Sequence, residues 1–578
     1  MINANKEKIA SFFQGTLEYE IPFFQRAYVW SEENWTIFWE HLIAELDAYE
    51  NGVDSEHFIG TIITKEKQSK NLGENIVELI DGQQRLTTIS VFFKAMADTV
   101  NGELPNLKNS LYNLLWFEDN HGAKHYRMSH SRIDKPNFEK IMDRPDSITK
   151  EDTSAIIKAY GYFKDNLSGL TDTKREKLMQ VLLYKIPVIS MLLDKDDDEQ
   201  EIFDTINSLG VRLTIGELLK NYIFKEKELQ KLYEEYWHEV FENDEQQVKY
   251  WLTERTSGRV RRDNMEMLLY CFLINETKRE IRLERLFKEY KTYLKEMSND
   301  DKIAFLKRLK SLATIYMKLP QATELVEIRF NEEEKRFFHV LENLEITTIY
   351  PLVLYLYQKV NDKVELIRIL GILESYLVLR QICKLTTKNY NNLFLQIIRA
   401  LEKSPEEGEK EHTYSERLAS IINGFVDESN KKPSANDVKK AFQEQVLSNK
   451  QAGEILYIIA LKDIASDYSD NKSLSSKSFS VEHIMPKKWQ ENWNDDSFSE
   501  LDVFRRNQKL KTLGNLTLIT KNLNSKLRNQ SWADKKETLE EYSSLRMTTA
   551  FLEKEDWDEE TIIERAEHLA EKALGIWT

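Results

Sequence analysis

The sequence predicts a multidomain α+β protein, predominantly helical, and three observations carry that reading. Short β-branched runs alternate with amphipathic segments over residues 1–225. From 226 to 470 apolar residues recur at three- and four-residue spacings amid dense Glu and Lys, the period of helices. From about 471 Trp, Asn and basic residues become frequent, marking a third zone. At roughly 150 residues per domain, 578 residues suit three or four domains, and the boundaries read here are 1–225, 226–470 and 471–578.

Within the first zone, Glu20–Tyr28 (EIPFFQRAY) is extended in character, and Ser31 is placed as N-cap of a helix reaching about Glu50. His57–Thr64 and Ile76–Ile80 suit buried strands, Asp81-Gly82 signals a turn, and Gln84–Met96 is helix-like. Ile186–Leu193 is a further strand, followed by an acidic turn, Asp194–Glu201, and the segment Ile202–Phe224. Asp263–Ile274, Lys363–Leu385 and Gln451–Ile464 read as helices. A strand at Phe479–Ile484 and an amphipathic helix at Glu559–Ile576 frame the last zone.

Composition removes several classes. With 41% hydrophobic and 31% charged residues, 18 Gly and 10 Pro, the chain is neither collagenous nor mostly disordered. Cys271 and Cys383, the two cysteines, cannot make a disulfide framework, and their apolar surroundings predict buried free thiols. The longest apolar runs, such as Val188–Leu193 and Ile455–Leu461, fall far short of the roughly 20 residues of a membrane span. The first residues lack the pattern of a signal peptide, so a soluble cytoplasmic protein without a membrane partner is expected.

Net charge is −16, which alone argues against a nucleic-acid partner. The average conceals Arg505–Lys536, which holds nine Lys/Arg and one acid, Asp534. The following tail, Glu537–Thr578, carries twelve acids and four basic residues. Local charge decides whether phosphate can approach.

That zone also carries Val481-Glu482-His483-Ile484-Met485-Pro486, then Leu513-Gly514-Asn515-Leu516-Thr517-Leu518, then Asn522-Leu523-Asn524. Phosphodiester hydrolysis needs a base for water and a cation for the phosphorane and leaving oxygen. Histidine suits the first task, and carboxylate plus amide oxygen can hold a hard divalent ion for the second. A strand ending in Glu-His, a second strand carrying Gly-Asn and a helix carrying Asn can assemble such a set. Each piece alone is ordinary; the ordered combination is far more specific.

The unit resembles an HNH nuclease of the ββα-metal type, in its His-Asn-Asn form. That resemblance implies His483 as general base, Asn515 bracing its loop, and Asn524 completing the catalytic set. It implies Glu482 and Asn524 as ligands of Mg²⁺ or Mn²⁺. Arg505, Arg506, Lys509, Lys511, Lys521, Lys526, Arg528 and Lys536 would then contact DNA.

In the first zone the informative segments are Ile21–Trp30 (IPFFQRAYVW), Phe58–Ile62 (FIGTI) and Leu79–Thr88 (LIDGQQRLTT). A strand feeding an Asp-Gly turn and a helix presents backbone N–H groups that suit an anion. Arg85 and Arg26 could clamp it, Asp81 could hold a metal or orient water, and Gln83, Gln84 and Thr87 could supply neutral hydrogen bonds. No GxxxxGK[ST] occurs, so a nucleotide site here is not a Walker P-loop. On chemistry alone an ordinary turn, with Arg85 paired to an acid, stands equally.

IPFFQRAYVW, HFIGTII and DGQQRLTT are similar to the ParB/sulfiredoxin-like N-terminal domain of the GmrSD group of restriction endonucleases. Phe203–Gly210 (FDTINSLG), Leu213 and Leu218–Tyr222 resemble the motif closing that domain, and Tyr376–Leu385 resembles the group's linker. The resemblance implies a single-chain, type IV-like enzyme that cuts or nicks modified phage DNA in antiviral defence. It also implies an NTPase, using GTP or ATP, whose nucleotide site is Asp81, Gly82, Gln83, Gln84, Arg85 and Thr87 with Gln25 and Arg26. Asn207, Lys220 and Asn221 are explained equally by a helix end packing on the sheet. The alternative function is a nucleotide-dependent sensor whose action is not cleavage; an RNA-directed nuclease is a third. A homodimeric state stays open. His121, His125 and His130 lack the companions of a zinc site and are expected as a surface cluster. Trp489, Trp493 and Trp532 are expected as supports of a small module.

Overall fold

The computed structural model describes residues 3–22, 25, 27–53, 57–66, 75–119, 121–130, 134–193, 214–257, 260–403, 412–465, 472–493, 498–527 and 529–578. Arg26, the acidic run Asp194–Glu201, the segment Phe203–Gly210 with Asn207, Leu213 and Arg528 lie outside the described residues. The chain divides into two compact units, Met1–Lys231 and Leu232–Thr578, and is multidomain α+β, mostly helical.

The first unit is built on a six-stranded mixed sheet. Its strands are β1 (Asn3–Lys8), β2 (Leu17–Glu20), β3 (Thr61–Glu66), β4 (Asn75–Asp81), β5 (Met128–Ser129) and β6 (Pro187–Leu193). Their spatial order is β1-β6-β3-β4-β2-β5. β3 pairs parallel with β6 and antiparallel with β4, while β2 pairs parallel with both β4 and β5. Helices α1 (Glu32–Glu50), α2 (Gln83–Thr99) and α3 (Ala155–Ser168) are among those that complete the core. Ile62 and Leu79 of the sheet are buried with Leu86, Ile89, Phe92 and Phe93 of α2. Ser31 caps α1, and its reciprocal partner in the capping box is Asn34.

Two strand expectations shift. The run from His57 becomes strand only at Thr61, because Gly60 sits at φ 114°, outside extended geometry. The described residues of 21–30 form no strand and are tied down by side chains instead. Gln25 donates to Ile80 O at 3.2 Å, and the Tyr28 N–H donates to Asp134 Oδ2 at 2.7 Å.

In the second unit α4 (Lys363–Ile382) and α5 (Asn449–Ala465) pack with a hairpin and the closing helix of the chain. The hairpin is β7 (Phe479–His483) against β8 (Leu516–Thr520), antiparallel, with His483 opposite Leu516. The helices that follow it include α6 (Lys521–Leu527), α7 (Trp532–Tyr542) and α8 (Glu559–Leu574). Val378 and Leu379 of α4, Ile455 and Ile458 of α5, Leu516, Leu518 and Leu569 belong to one buried cluster. The zones read from the sequence as 226–470 and 471–578 therefore share a core. No helix among the described residues is long and apolar enough to cross a membrane. Cys271 is buried and Cys383 only half-buried, so the expectation of two buried thiols holds for the first alone.

Candidate functional site

In the second unit the Glu-His pair ends β7, and a loop held by Asn515 follows it. Asn515 is fully buried. Its Oδ1 accepts from the Met485 N–H at 2.8 Å and from Trp557 Nε1 at 3.0 Å. Its Nδ2 donates to Met485 O and Leu510 O, both at 2.9 Å, and the Ile484 N–H donates to Asn515 O at 3.0 Å. One side chain thus holds both the N–H and the C=O of Met485, two residues after His483. Gly514 beside it cannot carry a side chain, since a Cβ would lie 2.1 Å from Ile562 O on α8.

The His483 imidazole is half-buried and makes no hydrogen bond to a described residue. Burial first, then the charges of Lys487, Lys535 and Lys511, push its pKa down to about 4. It is therefore neutral near pH 7, the state a general base requires.

Alternation along the strand puts Ser480 and Glu482 on one face and His483 on the other. Asn524, on α6, joins the Ser480 face: its Nδ2 donates to Ser480 Oγ at 2.9 Å and to Val481 O at 3.3 Å. Glu482 is already paired. Lys535, fully buried on α7, places Nζ 2.6 Å from Glu482 Oε1 and 2.9 Å from His483 O. Burial lowers the Lys535 pKa, and the Glu482 carboxylate opposes that. No group of three or more His, Cys, Asp or Glu among the described residues is arranged to hold a metal. One carboxylate with one amide oxygen is still a donor set that Mg²⁺ accepts when water and phosphate complete the shell.

The basic run separates into two populations. Arg505, Lys511, Lys521 and Lys526 are exposed. Arg506 is not a free phosphate contact: it is buried, ion-paired with Glu559, bonded to Trp493 O at 2.8 Å and stacked on Trp489 and Phe498. Lys509 Nζ is held by Gln443 O at 3.0 Å, and the half-buried Lys536 Nζ by Lys554 O at 3.3 Å. Trp489, Trp493 and Trp532 each donate an indole N–H within this module, to Asn507, Gln530 and Lys554.

Lys487 and Lys535, which act on His483, were not singled out in the sequence. Arg565 was also missed. Fully buried, it donates to Gly514 O at 2.8 Å, Leu516 O at 2.7 Å and Met547 O at 3.2 Å, locking the Asn515 turn from behind. Burial drops its pKa to about 9.

In the first unit, β4 ends at Asp81 and α2 begins after Gly82, whose φ of 97° suits glycine. No acid stands in the first turn of α2, and its N-cap residue, Gly82, has no side chain with which to cap it. Arg85 lies over this end, donating to Thr61 O at 2.7 Å with Asp81 at 3.7 Å. Its guanidinium covers Gly60, where a Cβ would come within 2.6 Å. Asp81 and Arg85 are partly exposed; Gln83 is buried.

Three other expected ligands serve the fold. Gln84 accepts from the Val29 N–H at 2.9 Å and donates to Ala27 O at 3.2 Å, while Gln25 holds Ile80 O. Thr87 corrects the sequence reading: it is fully buried, 3.5 Å from His130 Nε2, two residues along the helix from Arg85 and so on the opposite side. His130 itself is buried against Phe138 with its pKa lowered to about 3 by burial, so the three histidines are not one surface cluster.

The family model of the GmrSD restriction endonuclease N-terminal domain matches residues 9–224, and that of the C-terminal domain matches residues 432–572. The chain belongs to the GmrSD restriction endonuclease family, which assigns it a restriction-nuclease role with DNA as substrate. No curated protein matches the chain.

Proposed function

We propose that the chain is a divalent-metal-dependent DNA endonuclease of HNH type, regulated by a nucleoside triphosphate and directed at modified foreign DNA in antiviral defence. In this reading residues 471–578 are the ββα-metal nuclease, 226–470 a helical linker, and 1–225 a ParB/sulfiredoxin-like module that binds and hydrolyses GTP or ATP. The observation that carries it is a neutral His483 beside Lys487, Lys511 and Lys535, on a turn held by Asn515.

His483 takes a proton from water, which attacks phosphorus in line with the leaving 3′ oxygen. The exposed ammonium groups of Lys487 and Lys511 draw the phosphate to the strand end, and with the buried Lys535 they keep the imidazole unprotonated and free to accept the proton. Mg²⁺ or Mn²⁺ held by Glu482 and Asn524 would supply charge stabilisation at the phosphorane and the leaving oxygen. Arg505, Lys511, Lys521 and Lys526 hold the DNA backbone. Arg85 and the N-terminal N–H groups of α2 hold the triphosphate, and Asp81 would hold its metal ion or orient the hydrolytic water.

Plasmid nicking on modified and unmodified DNA, with each triphosphate and with a chelator, tests this. Cutting that needs the metal and disappears in His483→Ala, with triphosphate hydrolysis retained, is the expected result. Undiminished cutting by His483→Ala rejects the nuclease assignment. Triphosphate-dependent DNA binding without any cutting would favour the sensor reading.

A further inference from the structure

Beside Arg85 the first unit has a small cleft of about 230 Å³, lined by Trp30, Asn34, His41, His57, Phe58 and Arg85 among others. None of its ring-bearing walls is explained by the anion site. We propose that this cleft is the nucleobase pocket of the triphosphate site, a proposal that rests on the nucleotide reading above.

Size is the first argument. The cleft is below the roughly 300 Å³ at which pockets for drug-sized ligands begin, so it suits one ring system rather than a whole nucleotide. Continuity is the second. Arg85 borders the cleft and also stands in the first turn of α2 beside Asp81, so phosphates there and a ring in the cleft would belong to one molecule. The Gln84 bond to Val29 fixes the chain just before Trp30, and the absence of a Cβ at Gly60 lets Arg85 lie flat.

Surface chemistry is the third. Ile37 and Phe58 at the cleft are 47% and 44% exposed, and Val29 beside Trp30 is 54% exposed. Apolar side chains gathered round a concave site mark ligand contact more than solubility. Trp30 and Phe58 offer faces on which any base can stack. The His41 and His57 rings lie 3.9 Å apart, and burial followed by the His41 charge lowers the pKa of His57, leaving a neutral imidazole to bond a base edge. Asn34 uses only its Oδ1 in the α1 cap, and its Nδ2 carries no hydrogen bond among the described residues.

Calorimetric titration of the full chain with ATP, GTP, CTP and UTP, and with inorganic tripolyphosphate, all with Mg²⁺, tests the proposal. Phe58→Ser and His57→Ala should weaken the preferred nucleotide about ten-fold or more and leave tripolyphosphate affinity unchanged. Arg85→Ala should weaken both ligands. If the nucleotide binds wild type but Phe58→Ser and His57→Ala bind it equally well, the base lies elsewhere and only this proposal falls. If wild type binds neither nucleotide nor tripolyphosphate, the nucleotide reading falls and takes the pocket with it. Phe58 is exposed, so loss of folding does not confound that variant.

Discussion

At the start of α2 the charged groups stand partly in water, Asp81 and Arg85 being 30% and 23% exposed at 3.7 Å separation. Along β7 they are sealed, Lys535 and Glu482 being 0% and 12% exposed at 2.6 Å. The first arrangement leaves both charges within reach of solvent. The second spends its cations on holding a carboxylate, a turn and a neutral imidazole in place, so removing one group there should disturb structure and chemistry together. The contrast teaches that local basic composition does not by itself identify a phosphate-facing surface, since Arg506, Lys535 and Arg565 are all interior.

The sharpest way to break the comparison is Asn515→Ala. It leaves the Met485 N–H and C=O, the Leu510 C=O and the Trp557 N–H without their partner, at a cost of about 2–4 kcal/mol. Thermal unfolding should register that loss, and nicking should fall at least about a hundred-fold as the turn after His483 loosens. A variant with wild-type stability would remove Asn515 from the account.

Next in size is Lys535→Met, which strands a largely buried Glu482 and should destabilise the second unit by about 3 kcal/mol. Adding Glu482→Gln should recover much of the stability but not the cutting. Additive losses across that double-mutant cycle would mean the two side chains do not interact.

How much of this was legible in the sequence depends on the kind of signal. Ser31 and the apolar period of Gln83–Thr99 announce α1 and α2, because caps and periodicity are local. The order Glu482-His483, Asn515, Asn524 announced a hairpin and helix, and the structure brings Asn515 to the turn after His483 and Asn524 to the strand before it. What could not be read is which side of an element a charge occupies in three dimensions. Arg506 follows Val503 on the helix side facing Trp489 and Phe498, and nothing in a Lys/Arg run marks that side. Thr87 was read as a ligand from its place in DGQQRLTT, although the helical turn carries it away from Arg85. Lys535 and Glu482 meet across 53 residues, a pairing set by tertiary packing alone.

A third prediction uses pH. With its pKa lowered to about 4, His483 should remain an active base as pH falls from 7 to 5, and kcat/KM for nicking should drop only near pH 4. Replacing Lys487 and Lys511 by Gln should move that acidic limb upward, towards the ordinary histidine value. A wild-type limb already centred near the ordinary histidine value would show that neither burial nor the cations depress the imidazole, and a limb unmoved by the two Gln substitutions would remove the cations alone.

The smallest effect distinguishes exposed from interior cations. Lys521→Ala with Lys526→Ala should weaken DNA binding a few-fold, flatten its salt dependence by about two log units per log unit of salt, and leave stability unchanged. Arg506→Ala should instead lower the unfolding temperature, since it breaks the buried Glu559 pair. Equal behaviour of the two variants would erase the distinction.

In the proposed reaction the His483 imidazole itself takes the proton from water. Single-turnover nicking by His483→Ala, with and without added imidazole, tests it most directly. The expected result is an inactive variant whose cutting partly returns with imidazole, most strongly above the pKa of free imidazole, while triphosphate hydrolysis stays at the wild-type rate. Cutting by the variant at the wild-type rate without imidazole would contradict it.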